Sequence, residues 1–319
     1  MRRLLRFPAA ALLLVAVLLA SGCTPSQPTW AERPIRLAGG SATGVYYDYG
    51  QRLAEALSAD VDADVRFLET NGSVDNLRRI GAGDAELGFA QSDVVADAVS
   101  GTGEFDHALP IRAVARLYDE YVHVVVRADS DVRSISDLAG RRVSLGARGS
   151  GVSVVAKRVL AASGIGTETV DDRQLGLDAS IAALDGAQID AFFWVGGLPT
   201  PGIERLAGER EIRLLSIDAD AVERAGLAHP GVYRPAEFPV GAYGSTQPTS
   251  AMTVPNYLVG SAEVPDELVR DVLEVLFASR VQIAGDVPAA ALLDRRLAIF
   301  TDPIPLHPGA TEYYRDAHG

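Results

Sequence analysis

Ile35-Arg36-Leu37-Ala38-Gly39-Gly40-Ser41-Ala42-Thr43-Gly44-Val45-Tyr46-Tyr47 reads as a short strand, a glycine turn and the start of a helix. From Tyr46 to Ala59 the spacing is helical, with Tyr49, Leu53 and Leu57 on one face. Glycines let the backbone turn tightly and approach a ligand closely. The helix that follows offers unpaired N–H groups and the positive end of its dipole, a ready site for an anion. No Gly-Lys-Ser/Thr follows, so the loop is not a Walker A sequence, and the Gly-x-Gly-x-x-Gly spacing of a dinucleotide site is missing. The plainer alternative is a turn with a helix cap.

Downstream the alternation continues. Val65–Leu68 reads as a strand. Ser73–Ala82 reads as a helix with Ser73 as N-cap and Val74, Leu77 and Ile80 inward. Leu87–Ala90 reads as a buried strand and Asp93–Ser100 as a helix. Such alternation predicts a parallel sheet covered on both faces. Ile111–Leu117 and Tyr121–Arg127 are two β-branched, strand-like pieces. A second alternation then runs to about Ile217. The proline- and glycine-rich segment Leu227–Ser250 reads as irregular, Met252–Val259 as a strand, and Val264–Ala278 as an amphipathic helix.

The second unit repeats the opening device. Gly146-Ala147-Arg148-Gly149-Ser150-Gly151 again lies between a strand and a helix. Ser150 could cap that helix or bond a ligand, and Arg148 could pair a carboxylate or remain solvated. If the two units face each other, both helix N-termini point into one cleft, where open α/β sheets bind ligands. Thr70-Asn71-Gly72-Ser73, with Asn76 a turn later, and Gln91-Ser92-Asp93 add small polar side chains at the ends of strands. Each fits a helix cap as well as a ligand contact.

The N-terminus predicts export. Arg2, Arg3 and Arg6 precede an apolar run from Phe7 to Ala20, which ends at Leu19-Ala20-Ser21-Gly22-Cys23. A basic start, a short apolar stretch and small residues are the marks of a secretory signal peptide over residues 1–22. The run falls short of the ~20 apolar residues that a transmembrane helix needs. Cys23 is the only cysteine, and its setting resembles the lipobox of bacterial lipoproteins, where the thiol is acylated. The position three residues before it holds Ala20, where many lipoboxes carry Leu. Ordinary cleavage near Ala20 would instead leave Cys23 a free thiol. Residues 23–33 read as a polar, proline-containing tether. The expected location is therefore outside the cytoplasm, anchored to the outer face of the membrane.

Composition excludes several classes. The net charge is −13, and loss of the three leader arginines makes it −16. Nucleic-acid binders carry basic patches, so no such partner is expected. A single cysteine allows no intrachain disulfide and no thiolate metal site. No His-x-x-x-His or carboxylate cluster suggests a metal, and no cofactor is implied. Ser41 or Ser150 as a nucleophile would need a histidine base with an acid partner. His107, His229, His307 and His318 sit in irregular or terminal segments, and His123 lies in an apolar strand. None has an evident acid partner, so no catalytic residue is assigned and no enzyme is expected.

Five ordered motifs carry a resemblance. They are Gly44-Val45-Tyr46-Tyr47; Gly72-Ser73-Val74-Asp75-Asn76-Leu77; Gln91-Ser92-Asp93; Gly149-Ser150-Gly151; and Asp190-Ala191-Phe192-Phe193 with Gly196-Gly197-Leu198-Pro199-Thr200. Over about Ile35 to Ala278 they resemble the TAXI family of solute receptors for TRAP transporters. The resemblance implies the class II periplasmic-binding-protein fold, an α/β architecture of two lobes. Each lobe has a mixed sheet flanked by helices, with a cleft and hinge strands between them. It implies lobe one over residues 34–119 and 261–319 and lobe two over 120–260, with crossings near Asp119 and Gly260. It implies capture of a small carboxylate or amino acid (glutamate, glutamine or 2-oxoglutarate-like) and its delivery to an integral membrane permease. The candidate ligand-binding residues are then Ser41, Thr43, Gly44, Val45, Tyr46, Ser73, Gln91, Ser92, Arg148, Ser150, Gly151, Phe193 and Gly196. Trp194 departs from the pattern by placing a large aromatic beside them. The alternatives are an ABC-type receptor, a sensory input protein of the same fold and, in another class, a serine hydrolase using Ser41 or Ser150.

Overall fold

The computed structural model describes residues 34–60 and 63–317. The leader, the tether and Cys23 lie outside the described residues. Among the described residues, no helix is long and apolar enough to cross a membrane.

The first lobe opens with β1 (Ile35–Ala38), α1 (Val45–Asp60), β2 (Val65–Leu68), α2 (Ser73–Ala82), β3 (Leu87–Gln91) and α3 (Ser92–Ser100). β1 pairs in parallel with β2 and β3. Alternation fixes the two faces of this sheet. Leu37 and Phe89 face the core under α1, whereas Ala38 and Ala90 face the one under α2 and α3. Leu53 and Leu57 of α1 and Leu77 of α2 are fully buried, so the sequence-predicted inward faces hold.

One strand stands where the sequence predicts two. β4 runs unbroken from Ile111 to Arg127, 17 residues. Tyr118, Asp119 and Glu120 interrupt the apolar run but do not break the ladder, because all three stay in register with β10. β4 pairs antiparallel with β10 (Thr249–Ser261) up to Tyr121 and with β7 (Ala191–Gly196) from Tyr121 onward.

The second lobe adds β5 (Arg142–Ser144), α4 (Gly151–Ala162), β6 (Asp171–Asp172) and α5 (Leu177–Asp185) before β7. α6 (Pro201–Glu209), β8 (Ile212–Leu214), α7 (Ala219–Ala225) and β9 (Arg234–Phe238) follow it. β9 lies inside the segment read as irregular. Its ladder partner is β10, 11 residues further on, from Thr249. Two cores again cover opposite faces, Phe193 and Val124 beneath α4 and Phe192 and Val125 beneath α5 and α6. The chain ends with α8 (Asp266–Ala278), α9 (Arg280–Asp286) and α10 (Pro308–Asp316), the first of which packs on α1 in the first core.

The sheets of the two lobes are joined. Strand order is β2-β1-β3-β10-β4-β7-β5-β6, with β8 on β4 and β9 on β10. The sheet is mixed and continuous rather than two separate mixed sheets, because β4 and β10 are long enough to serve both lobes. β10 enters the first lobe before Gly260: Asn256–Gly260 already pair with β3. Register shifts between Asn256/Tyr257 and Leu258/Val259 mark bulges beside this crossing, a common device for re-aiming side chains near a site.

Candidate ligand cleft

Where the lobes meet, a cavity encloses about 620 Å³ of atom-free space, its mouth included. Helix N-termini surround it. Gly44 and Val45 begin α1, Gly72 and Ser73 begin α2, Ser150 and Gly151 begin α4, and Gly176 and Leu177 begin α5; all line the cavity. The strand-turn-helix pattern of each unit places these N-termini at the carboxyl ends of the strands. Their first N–H groups lack intrahelical acceptors.

The first lobe and the crossing strand β4 supply most of the polar side chains. Tyr46, on the first turn of α1, donates from its hydroxyl to Glu120 Oε2 (3.2 Å) and accepts from Asn256 Nδ2 (2.5 Å). Ser73 is not the N-cap. Gly72 takes that place with φ 106°, a left-handed value that favours glycine. Ser73 is thereby freed to accept the Gln91 N–H at 3.2 Å. Asn76 is neither cap nor lining residue. Its amide donates to the carbonyls of Gly39 (2.6 Å) and Phe89 (2.8 Å), tying β1 to β3 behind the loop. Gln91 is buried, and its Oε1 has no hydrogen-bond partner.

Glu120 is the one acidic or basic residue lining the cavity; among the described residues no Arg, Lys or His lines it. Burial, helped by Asp93 and Asp119, pushes its carboxyl up to about 8, against the lowering effect of hydrogen bonds from Gln91 and Tyr46. Burial and the charge of Glu120 hold the Tyr46 phenol well above its usual range.

The second lobe supplies backbone and apolar surface. Gly146, Ala147, Ser150, Gly151, Leu175, Gly176, Leu177, Trp194, Val195 and Gly196 line its side. Ser150 caps α4 by accepting the Ser153 N–H at 3.1 Å. Trp194 lies across the cleft from Gly44, where a Cβ would come within 3.1 Å of Cζ2. Its Nε1 donates to Thr200 Oγ1 (3.2 Å). The Thr200 N–H meets Tyr243 Oη (2.8 Å), which is 3.0 Å from His123 Nε2. Burial pulls His123 down to about 4, so its ring is neutral. Tyr243 then donates to Nε2, and Nδ1–H donates to the Tyr121 carbonyl at 2.9 Å. His123 is a satisfied strand residue, as its apolar surroundings suggest.

The lobes touch around the cavity. Asp75 N–H of α2 donates to Gly149 O across the cleft at 3.0 Å. A Cβ on Gly151 would overlap Gln91 Oε1 and lie 2.7 Å from Ser73 Oγ. On the α3 side, Arg158 of α4 bonds Asp97 (2.6 Å) and also pairs with Asp93, to which Tyr233 donates at 2.5 Å.

Nine of the sequence-predicted residues come together as lining: Ser41, Gly44, Val45, Tyr46, Ser73, Gln91, Ser150, Gly151 and Gly196. Four do not. The Thr43 hydroxyl instead donates to Asp178 of the other lobe at 2.8 Å. Ser92 is buried beside the cavity rather than in it, because it starts α3 one residue past Gln91. Arg148 is exposed and reaches only Gln174, at 3.5 Å. Phe193 is 1% exposed in the core beneath α4, and strand alternation gives Trp194 the cleft instead. Two histidines do have acid neighbours that only folding brings near: His229 lies 3.2 Å from Asp97 and His307 3.4 Å from Asp266. Neither lines the cavity. Glu120 and Asn256 are site residues that local motifs missed. The one signal for Glu120 was an acid inside an apolar β run.

A family model described as NMT1-like matches residues 37–317. The chain belongs to the NMT1-like family. Among solved structures, this NMT1-like protein is similar to the alkanesulfonate-binding protein SsuA from Xanthomonas axonopodis pv. citri bound to MOPS, at 16% identity and TM-score 0.52, covering 88% of this chain and 83% of that one. It is also similar to PhnD1 from Prochlorococcus marinus in complex with methylphosphonate, at 11% identity and TM-score 0.53, covering 90% and 98%. A third is a putative L-cystine ABC transporter protein from Listeria monocytogenes, at 14% identity and TM-score 0.51, covering 82% and 98%. At these identities the likeness is one of fold, and the fold is that of periplasmic solute-binding proteins.

Proposed function

We propose that this protein is an extracytoplasmic receptor that captures a small carboxylate and delivers it to an integral membrane permease. The observation that carries the reading is the cavity itself: four helix N-termini line it, with no Arg, Lys or His among its described lining residues. Helix N-termini are sites for anionic groups, and here they replace the expected Arg148. The net charge of −13 opposes long-range attraction of an anion, so affinity comes from these local dipoles. Nine motif residues lining one cavity also support the TAXI resemblance, and with it a TRAP permease as partner. An ABC-type partner is the second reading, favoured by the ABC transporter protein among the similar folds.

The lobes meet at two strands, and we place the hinge there, near Asp119 in β4 and near Val254–Pro255 in β10, just before the pairing with β3 begins. Lobe one is then residues 34–119 and the C-terminal segment from Asn256, and lobe two the residues between. Residues 1–22 serve as a signal peptide, and Cys23 as the point of lipid attachment to the outer face of the membrane.

Titration of the soluble form, residues 24 onward, with carboxylates by thermal shift tests capture, since a ligand of the native state raises the melting temperature. A shift with uncharged solutes and none with carboxylates would overturn the ligand class. Uptake in cells separates the partners: collapse of the ion gradient abolishes TRAP-dependent uptake, whereas ATP depletion at constant gradient abolishes the ABC type. Fatty-acid labelling lost in Cys23→Ala tests the anchor.

A further inference from the structure

One end of the cavity carries a carboxyl group and an open acceptor. Glu120 and the unpartnered Gln91 Oε1 both line it, and both residues are buried. Tyr46 gives its one proton to Glu120, and Asn256 Nδ2 bonds Tyr46. The buried acceptors Gln91 Oε1 and Asn256 Oδ1 are left without a donor, which is costly. The charged and titratable groups facing Glu120 are Tyr46 from α1, Tyr118 and Asp119 from β4, and Asp93 from α3. None of these is a cation.

We propose that Glu120 and Gln91 form a cation-receiving subsite, so that the captured solute carries a protonated amine as well as its carboxylate. This rests on the carboxylate reading above and narrows it: the cleft selects an α-amino acid over the corresponding 2-oxo acid. The helix N-termini hold the carboxylate, and Glu120 and Gln91 receive the N–H donors of the ammonium. Burial favours the neutral form of Glu120, with its carboxyl near 8. An ammonium beside it favours the carboxylate, so capture near neutral pH expels a proton to solvent. The step is balanced: one proton leaves Glu120, and the positive charge of the ligand replaces it.

Isothermal titration at pH 7 tests this with three probe sets: α-amino acids including glutamate and glutamine, their 2-oxo acids, and the matching primary amines that lack a carboxylate. The amino acid should bind roughly 10- to 100-fold more tightly than its oxo acid, the scale of a hydrogen bond to a charged group. Glu120→Gln should erase that preference by weakening the amino acid and leaving the oxo acid within a few-fold. Gln91→Met should weaken the amino acid as well, by less. Repetition in buffers of different ionisation enthalpy should reveal proton release in the wild type and none in Glu120→Gln. An oxo acid that binds as tightly as its amino acid, or unchanged amino-acid affinity in Glu120→Gln, overturns the subsite and leaves the carboxylate reading intact. An amine that binds as tightly as the amino acid through Glu120 keeps the subsite and overturns the carboxylate reading. Failure of all three sets overturns both.

Discussion

The two walls of the cleft are built from different materials. The first-lobe wall presents polar side chains held by one another and by Glu120 at the crossing strand β4: Tyr46 between Glu120 and Asn256, and Ser73 on the Gln91 N–H. Both walls present glycine backbone and two helix N-termini, and the second adds leucines and Trp194 where the first has polar side chains. A wall of interlocked polar groups is pre-organised and can tell one solute from another. A wall of backbone and apolar surface offers shape and excludes water.

The seam between the walls offers the largest break in this comparison. Arg158 pairs with Asp93 and Asp97 of the other lobe, both nearly fully buried. Burial drives Asp97 up, but His229 and Arg158 more than offset this and hold it below the usual carboxylate range. Arg158→Met takes the guanidinium away from two buried carboxylates, and denaturant unfolding should record a loss of about 3–5 kcal/mol.

Gly151 comes next. A leucine there would overlap Gln91 and crowd Ser73, holding the lobes apart. Calorimetry should show ligand affinity lower by roughly 100-fold, the scale of an overpacking penalty. Tight binding by Gly151→Leu would mean that the second wall does not close as described. Tyr46→Phe acts on the first wall. It leaves Asn256 Nδ2 and Glu120 without their shared hydroxyl, and the cost should be about 1–3 kcal/mol in stability, read from denaturant midpoints.

Glu120 gives this wall a pH signature. Its carboxyl titrates near 8 when folded, against an ordinary 4.5. The folded state therefore holds the proton more tightly, and the ligand-free protein should lose stability as pH rises from about 4.5 to 8. Glu120→Gln should flatten that part of the melting curve against pH relative to wild type. The smallest effect belongs to Arg148→Ala. The side chain is solvated and away from the cavity, so the ligand dissociation constant should stay within about twofold of wild type, the scale of a neutral surface change.

Local patterns were readable where the signal is local. Strand-turn-helix units, the inward faces of α1 and α2, and the two glycine loops follow from periodicity and from backbone freedom. The reading failed where a partner distant in sequence decides the outcome. β4 is one strand because β10 and β7 pair along it. β9 exists because β10 returns beside it. Phe193 and Trp194 adjoin in sequence, and only the placement of the sheet in its lobe says which one is core.

By itself, the sequence determined the paired α/β units, the glycine loops before their helices, the acidic charge and nine of the residues that line the cavity. Tertiary structure alone decided that Glu120, Gln91, Tyr46 and Asn256 meet, that Arg148 stands outside and that Thr43 bridges to Asp178. The reason is physical. Turns and amphipathic faces are set by neighbours a few residues away, whereas the environment of a buried charge is set by elements up to 210 residues apart, the separation of Tyr46 and Asn256.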